Sequence, residues 1–494
     1  MRGLVVLSIM AFAAIMMILY SSDLLYIVHN QIISFQNPSN IKINKNYGTD
    51  ISVELFAKGL TRPTSMSFIN DNTILILEKD SGKVRVISHG VLLEKPAYTI
   101  ENLSTQQEQG LLGIAFKNKS FTNLSLASGK TQSIQENLLG KHNDLLFSQK
   151  GTENYLKDKV YLYFTQKVSE NKGLNYIDSN EDSDSSNNLR NRVYEFNFNN
   201  TDNSLVPNRL LLDLPANPRP YHNGGKIDID KLGNLYVTIG DLTAINSSMQ
   251  NYPGKKLDLF FPPNNTSGIL RINPSVSMLI PASNPFYNQS LENKTLGSLS
   301  LYYAYGIRNS FGLDIDPVTG RVWDTENSES TYDELNLVEP GFNSGWYKIM
   351  GPLNRNNDSN VLDLVMLNGS HYSDPEFSWR NPIGVTDVEF YESSKLGKEF
   401  ENNLFVGDIN NGNLYFFKLN PDRNKIVHLK SIYDSKLASN ESIEDFVADN
   451  KSELEPYIFA QGFDGRITDI QTGPDGNLYI LSYFDGKIFR LVNS

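Results

Sequence analysis

The 494-residue chain contains no cysteine. Disulfides and thiolate-held metal centres are therefore excluded, and any bound metal must be held by oxygen and nitrogen. Histidine is scarce, at six residues, and tryptophan scarcer, at three. Positive charge is short as well: the net charge is −12 and the pI about 5.1, which disfavours nonspecific nucleic-acid binding, and no motif for sequence-specific binding accompanies it. Long apolar runs are missing with one exception. After Arg2, the residues from Gly3 to Tyr20 carry no charge. That length is near the minimum for a membrane-spanning helix and longer than the usual apolar region of a signal peptide. Ser21-Ser22-Asp23 makes a poor cleavage site. Residues 1–22 are thus expected to form a hydrophobic helix that acts as a signal anchor, with a cleaved signal peptide as the alternative. Arg2 fits an inside N-terminus, residues 23–48 read as a polar tether, and the body lies outside the cytoplasm. Thirteen Asn-x-Ser/Thr sequons, among them Asn102, Asn199 and Asn368, fit an exported, glycosylated surface, although a chain rich in Asn and Ser produces some by chance.

With 39% hydrophobic and 20% charged residues, the remainder has the composition of a soluble globular body. Helical periodicity is sparse, and short strand patterns punctuated by Gly, Pro, Asn and Asp dominate. A loose unit recurs: an apolar alternation, a tight Asp/Gly/Asn turn, and a second apolar strand. It occupies Met66–Leu77, Ile227–Val237, Leu313–Trp323 and Ile470–Ile480. Repeated hairpins of this kind predict an all-β propeller, whose blades are four-stranded sheets around a channel. At about 45 to 70 residues per blade, the body from 49 to 494 has room for roughly six to eight. Residues near 117–158 and 168–190 read as insertions. The second includes an acidic run from Asp178 to Asn188 that lacks the glycine and terminal glutamate of a calcium-binding hairpin and reads as a solvated loop.

The stretch richest in chemistry is Tyr221-His222-Asn223-Gly224-Gly225-Lys226, followed by the alternation Ile227–Asp230, a turn, and Leu235–Ile239 ending in Gly240-Asp241. A histidine at a strand mouth, with a carboxylate at the end of the next strand, has the layout of a general base and its orienting acid. The structural alternative is a turn histidine bonded to a neighbouring carbonyl. Four more segments stand out: Glu108–Phe116, Gly306–Gly312 with Arg308 beside Asn309, Asp333–Leu337 followed by Gly341–Trp346, and Gly465–Ile470. Arg308-Asn309 suits an anionic or carbonyl-rich ligand. Singly, each has a structural explanation: turn and core for Gly110–Gly113, a solvated loop for Asp333-Glu334, and core or ligand platform for Trp346.

Taken in order, EQGLLGIAF, YHNGGKI with TIGD, GIRNSFGLDIDP, DELNL, NSGW and GRITDI with GPDGNLY resemble the soluble quinoprotein sugar dehydrogenases. These are glucose/sorbosone dehydrogenase-like propellers that use pyrroloquinoline quinone (PQQ). The resemblance covers residues 50–494. It implies a six-bladed β-propeller of four-stranded antiparallel blades that oxidises aldose sugars at the anomeric carbon to lactones and passes electrons to an external acceptor. His222 is then similar to the family's base, taking the proton of the anomeric hydroxyl while hydride passes to the quinone C5. Asp241 matches the carboxylate that orients the base, Arg308 the cation near the quinone oxygens, Asn309 its amide neighbour, and Trp346 a residue on the sugar. Glu108, Asn410 and Arg466 fall at cofactor-binding positions, and the backbone carbonyls of Ser328 and Glu329 at the site of a Ca²⁺ ion.

Some positions depart from the pattern. Glu108 stands for a glutamine, Asn410 for a lysine, Thr468 for the second of two late arginines, and Ser328-Glu329 for a Gly-Pro pair. Charge-assisted hydrogen bonds to the PQQ carboxylates contribute roughly 1.5–3 kcal/mol each, so losing a lysine and an arginine weakens binding by several kcal/mol, or roughly a thousandfold. Ca²⁺ between carboxylates offsets part of this. Two other functions fit the same sequence. One is a non-enzymatic extracellular propeller that binds a glycan or protein partner, in which His222 and Arg308 do not converge. The other is a Ca²⁺-dependent, lactonase-like hydrolase with Glu108 or Asp241 on the metal.

Overall fold

The computed structural model describes residues 40–48, 50–117, 158–168, 188–243, 249–251, 263–276, 279–292, 294–356, 359–428 and 445–493. The apolar run of residues 1–22, most of the tether, and nearly all of both segments read as insertions lie outside the described residues. Among the described residues no helix is long and apolar enough to cross a membrane.

Six sheets follow one another along the chain and form six blades. Blade 1 holds Pro63–Asn70, Thr73–Glu78, Lys83–Ser88 and Val91–Leu92; blade 2 holds Leu111–Lys117, Lys159–Lys167, Leu189–Asn199 and Ser204–Pro215. Blade 3 holds Ile227–Ile229, Leu235–Ile239, Gly268–Ile272 and Tyr302–Tyr305; blade 4 holds Ser310–Ile315, Val322–Glu326, Asp333–Val338 and Phe377–Trp379. Blade 5 holds Val385–Phe390, Leu404–Asp408, Asn413–Leu419 and Ile458–Gln461; blade 6 holds Ile467–Thr472, Leu478–Ser482, Lys487–Asn493 and Ile51–Lys58. The first strand of each blade packs against the first strand of the next, and blade 6 returns to blade 1. This is the six-bladed β-propeller expected from the sequence. Ile51–Lys58 pairs with Lys487–Asn493, so the beginning and end of the propeller chain close the ring within one sheet.

The recurring hairpins are the first two strands of blades 1, 3, 4 and 6. Their turns are built by side chains. Asp230 accepts the N–H groups of Leu232 and Asn234 and the Asn234 amide, around Gly233 at φ 84°. Asp475 does the same for Asn477. The second strands, such as Thr73–Glu78 and Leu478–Ser482, are buried throughout, since neighbouring blades cover both faces and favour near-continuous apolar runs. Blades 2 and 5 join these strands by longer connections, so their hairpins leave no such trace in the sequence.

Two expectations need correction. The blades are not uniformly four-stranded: Tyr98–Thr99 adds to blade 1, Val447–Ala448 pairs in parallel at the outer edge of blade 4, and Lys42–Ile43 and Ile426–Val427 add to blade 5. The tether also ends earlier than residue 48. Lys42–Ile43 pairs with Ile458–Gln461, and Tyr47 is buried against Phe400, Phe416 and Phe459, because an aromatic ring that finds such a pocket leaves water favourably.

Apolar clusters fill the gaps between successive blades around the ring. Toward the channel, the inner strands of different blades do not share a backbone ladder, so side chains satisfy their edges. Asp469 accepts Met66 N–H at 2.7 Å, Asp314 accepts Phe390 N–H at 2.6 Å, and Asp387 and Glu389 accept Ile470 and Thr472 N–H at 2.9 and 2.7 Å. The hydroxyls of Thr64, Thr238 and Thr468 donate to Leu111, Ser310 and Pro63 carbonyls of the next blade. Lys226 lies inside the channel with its ammonium 2.5 Å from Asp387 and 2.8 Å from Asp469.

The topology fixes where chemistry can gather. In every blade the first strand runs from one end of the channel to the other and the second returns. The loop leading into a first strand and the loop leaving a second strand therefore share one end. His222, Glu108, Arg308-Asn309 and Arg466 lie in loops of the first kind, and Asp241, Ser328-Glu329 and Asn410 in loops of the second.

Candidate active site

His222 leads into blade 3 with φ 59°, a left-handed conformation that costs a non-glycine residue about 1–3 kcal/mol. Two carboxylates hold it there. Glu108 accepts its backbone N–H at 2.5 Å, and Asp241 takes its imidazole Nδ1 at 2.5 Å. Gly240 lets these loops meet: a Cβ there would strike the His222 carbonyl and come within 2.7 Å of the Arg308 carbonyl. Asp241 also accepts Thr243 N–H at 2.7 Å on the same oxygen and the Trp346 indole N–H at 2.9 Å on the other. A carboxylate so placed only accepts, so Nδ1 carries a proton and the neutral ring has its lone pair on Nε2. The histidine side chain is 14% exposed, enough for Nε2 to meet a small ligand. This is the geometry of a general base.

Arg308 and Asn309 complete the cluster. The Arg308 carbonyl accepts Asp241 N–H at 2.9 Å, and its guanidinium lies 5.5 Å over the Trp346 ring. One guanidinium nitrogen donates to the Asn327 carbonyl at 3.0 Å, while the buried Nε has no partner. The Asn309 amide donates to Glu108 at 3.3 Å and its oxygen accepts Gly224 N–H at 3.1 Å. Burial raises the Glu108 carboxyl above the usual range, against the lowering effect of His222 and of its hydrogen bonds to His222, Asn223 and Asn309. His222, Asp241, Glu108, Arg308, Asn309 and Trp346 thus form one connected network. Trp346 is 6% exposed, and its polar atom serves Asp241.

The remaining candidates occupy the same end of the channel without joining this network. Arg466 leads into blade 6 with a guanidinium nitrogen near Gly412; Asn410 lies beside Gly384. Among the described residues neither side chain has a hydrogen-bonding or ionic partner. Thr468 spends its hydroxyl on Pro63. Ser328 is buried, with its hydroxyl unpartnered, and Glu329 is exposed. The donor set suits a planar polycarboxylate such as PQQ: an orphaned buried Arg308 Nε, an uncommitted Arg466 guanidinium and an uncommitted Asn410 amide. Among the described residues no group of three or more His, Asp or Glu could hold a metal ion.

The pair Asp333-Glu334 is a correction, since neither is solvated. Asp333 is 1% and Glu334 2% exposed. Asp333 accepts the N–H groups of Ser328, Ile383, Gly384 and Val385, pinning the lead into blade 5, and Glu334 accepts Gly351 N–H. Sequence reasoning also missed Glu326, which accepts Arg308 N–H at 2.7 Å and the Ser344 hydroxyl at 2.5 Å. It missed Asn251, whose amide pairs with Asn343 and donates to the Trp346 carbonyl. Asn343 opens the Asn343–Trp346 motif, whereas Asn251 carries no local signal.

A family model described as Glucose / Sorbosone dehydrogenase matches residues 152–490, more than half of the chain. A curated relative, Aldose sugar dehydrogenase YliI of Escherichia coli (strain K12), is 23% identical over 276 residues, covering 55% of this chain and 60% of that protein. The match therefore spans less than two thirds of that relative's length. Among solved structures, the soluble aldose sugar dehydrogenase from Escherichia coli in the apo-form gives a TM-score of 0.58 at 18% identity, over 90% of this chain and 100% of the other. The PQQ-bound form of aldose sugar dehydrogenase from Streptomyces coelicolor gives 0.54 at 18%, over 90% and 98%. At these identities the structural matches show a shared fold.

Proposed function

The chain belongs to the glucose/sorbosone dehydrogenase family, and from that footing we propose that it is a PQQ-dependent dehydrogenase that oxidises aldose sugars at the anomeric carbon to lactones. One observation carries this: the His222 imidazole is held through Nδ1 by a carboxylate whose other oxygen is already taken by Trp346. Nε2 is thereby left as a base. PQQ, when bound, supplies the oxidant that accepts hydride from the anomeric carbon. His222 Nε2 takes the proton of the anomeric hydroxyl as that hydride leaves, and Asp241 stabilises the imidazolium that results. Arg308 and Arg466 would hold cofactor carboxylates or quinone oxygens by charge-assisted bonds, and Asn410 and Asn309 add amide donors. Burial favours the protonated form of Glu108, which makes it a donor like the family's glutamine. The carbonyls of Ser328 and Glu329, which accept no hydrogen bond from a described residue, would be the groups to hold a Ca²⁺ ion.

The non-enzymatic alternative requires His222 and Arg308 to stay apart. Their meeting through Asp241 and Trp346 favours the dehydrogenase. The body works outside the cytoplasm, tethered through residues 1–22, with electrons leaving to an external acceptor; the uncharged run from Gly3 to Tyr20 supports this placement. Calorimetric titration with PQQ in the presence of Ca²⁺, followed by aldose-dependent reduction of an artificial dye, tests the assignment. Saturable binding and sugar-dependent reduction are expected. No PQQ binding even at high cofactor concentration overturns it.

A further inference from the structure

Behind the site, the strands of blade 4 bury four carboxyl groups, none in an ion pair among the described residues; Asp333 is held by four backbone N–H groups, and the other three form a cluster. Asp324, Glu326 and Glu334 lie on its second and third strands, with Glu326 directly opposite Glu334, and none is more than 2% exposed. No lysine or arginine side chain among the described residues is among the leading electrostatic influences on any of the three. Like charges facing each other across two strands repel, and the repulsion is strong in a dry interior. Burial and this repulsion both favour the protonated forms. Burial lifts Asp324 to about 7 and Glu334 to about 8, and lifts Glu326 well above the carboxylate range, where the charges of Glu334 and Asp324 push it further. A carboxyl group costs more to bury than an apolar side chain of similar volume, so its bonds deserve a reason.

The partners of Glu326 supply one. Its Oε1 accepts Arg308 N–H and its Oε2 lies 2.5 Å from the Ser344 hydroxyl. The Arg308 carbonyl accepts Asp241 N–H. Two residues beyond Ser344, the Trp346 indole donates to Asp241 Oδ2. Both arms that leave Glu326 thus end on Asp241, the carboxylate that holds His222. Asp324 and Glu334 reach neither arm: Glu334 bonds Gly351 and Asn336, and Asp324 interacts with the Asn336 and Ser310 side chains.

We infer that Glu326 is a positioning residue of this site, tying the Arg308 backbone to the Ser344–Trp346 loop and so keeping the indole on Asp241. Its effect on turnover rests on the dehydrogenase assignment, but the mechanical tie does not, and the test separates the two. The indole N–H groups of Trp323 and Trp379 are buried without partners, so that of Trp346, bound to a carboxylate, is distinguishable by NMR. In the cofactor-free protein, Glu326→Ala and Ser344→Ala should speed exchange of the Trp346 indole proton by roughly tenfold or more, as expected when a hydrogen bond to the loop is lost. Glu326→Gln offers an oxygen to Arg308 N–H and an amide to the Ser344 hydroxyl, and should stay within about threefold of the parent. Glu334→Gln and Asp324→Asn should leave the indole unmoved. With PQQ bound, kcat should fall in the same order while KM for the sugar changes less. A folded Glu326→Ala protein with unchanged indole exchange overturns the inference, as does an equal effect from Glu334→Gln. If Glu326→Ala does not fold, Ser344→Ala carries the test alone. A parent protein that shows no sugar oxidation would sink the dehydrogenase assignment and leave the indole measurement to judge Glu326.

Discussion

Asp241 is where four stretches of chain meet: the lead into blade 3 through His222, its own turn through Thr243, the loop of Trp346, and the Arg308 carbonyl that accepts its N–H. Its two oxygens face donors only. Asparagine in its place would present an amide to one of those donors and reward the histidine tautomer that carries its proton on Nε2. Asp241→Asn should therefore lower kcat by roughly 10²–10⁴-fold, the span typical of lost general-base catalysis, with little change in melting temperature; steady-state kinetics beside a thermal melt checks this, and unchanged kcat would contradict the role. His222 and Asp241 were legible as a pair because they flank one hairpin, where strand geometry alone sets their neighbourhood. Arg308-Asn309 were legible as adjacent polar groups between glycines. Glu326 was not, since a glutamate ending a strand looks solvated until the Ser344 loop folds over it. Asp333 misled for a similar reason: its partners at Ile383–Val385 lie some fifty positions away in sequence.

At the scale of elements, the propeller is held in two ways. Apolar clusters between blades supply the bulk of the burial, at about 1.5–3 kcal/mol for each large side chain. Carboxylates and threonine hydroxyls join the inner strands. Asp469 serves both a neighbouring blade and the buried Lys226 ammonium. Asp469→Ala leaves Met66 N–H unpaired and strips Lys226 of one partner, a loss of about 3–5 kcal/mol for a broken buried pair; chemical denaturation should register it as a lower midpoint at unchanged slope. A change below about 0.5 kcal/mol would show that the surviving Asp387–Lys226 pair suffices. Thr468 belongs to the same set of stitches, which accounts for its hydroxyl but leaves its family position without a cation. The hairpins of blades 1, 3, 4 and 6 could be read from period-two alternation and Asp/Gly/Asn turns. Those of blades 2 and 5 could not, because longer connections separate their first two strands.

At the scale of the molecule, buried acid is the dominant electrostatic feature. The end of the channel away from His222 opens into a cavity of about 1160 Å³ that includes Asp228, Asp314, Glu389 and Glu392 in its wall. Burial lifts Asp228 to about 6 and Glu389 to about 8, with Asp314 well above its ordinary range; Asp324 and Glu334 add values of about 7 and 8. Each folded value exceeds the unfolded one near 4, so the folded chain binds more protons between about pH 4 and 8. The resulting stability is present in full below that window and is lost as pH rises through it. The melting temperature should be higher at about pH 5 than at about pH 8.5, and Asp324→Asn should flatten the dependence; a melting temperature that rises across this range would contradict the protonated cluster. The central claim, that His222 removes the anomeric proton as hydride leaves the same carbon, is tested most directly by turnover of an aldose deuterated at C1. With PQQ and Ca²⁺ supplied, the protein should release lactone with a primary isotope effect on the chemical step, and His222→Ala should bind PQQ comparably yet lose turnover by roughly 10²-fold or more. Turnover that survives His222→Ala, or a protein that binds PQQ and leaves the aldose untouched, would contradict it.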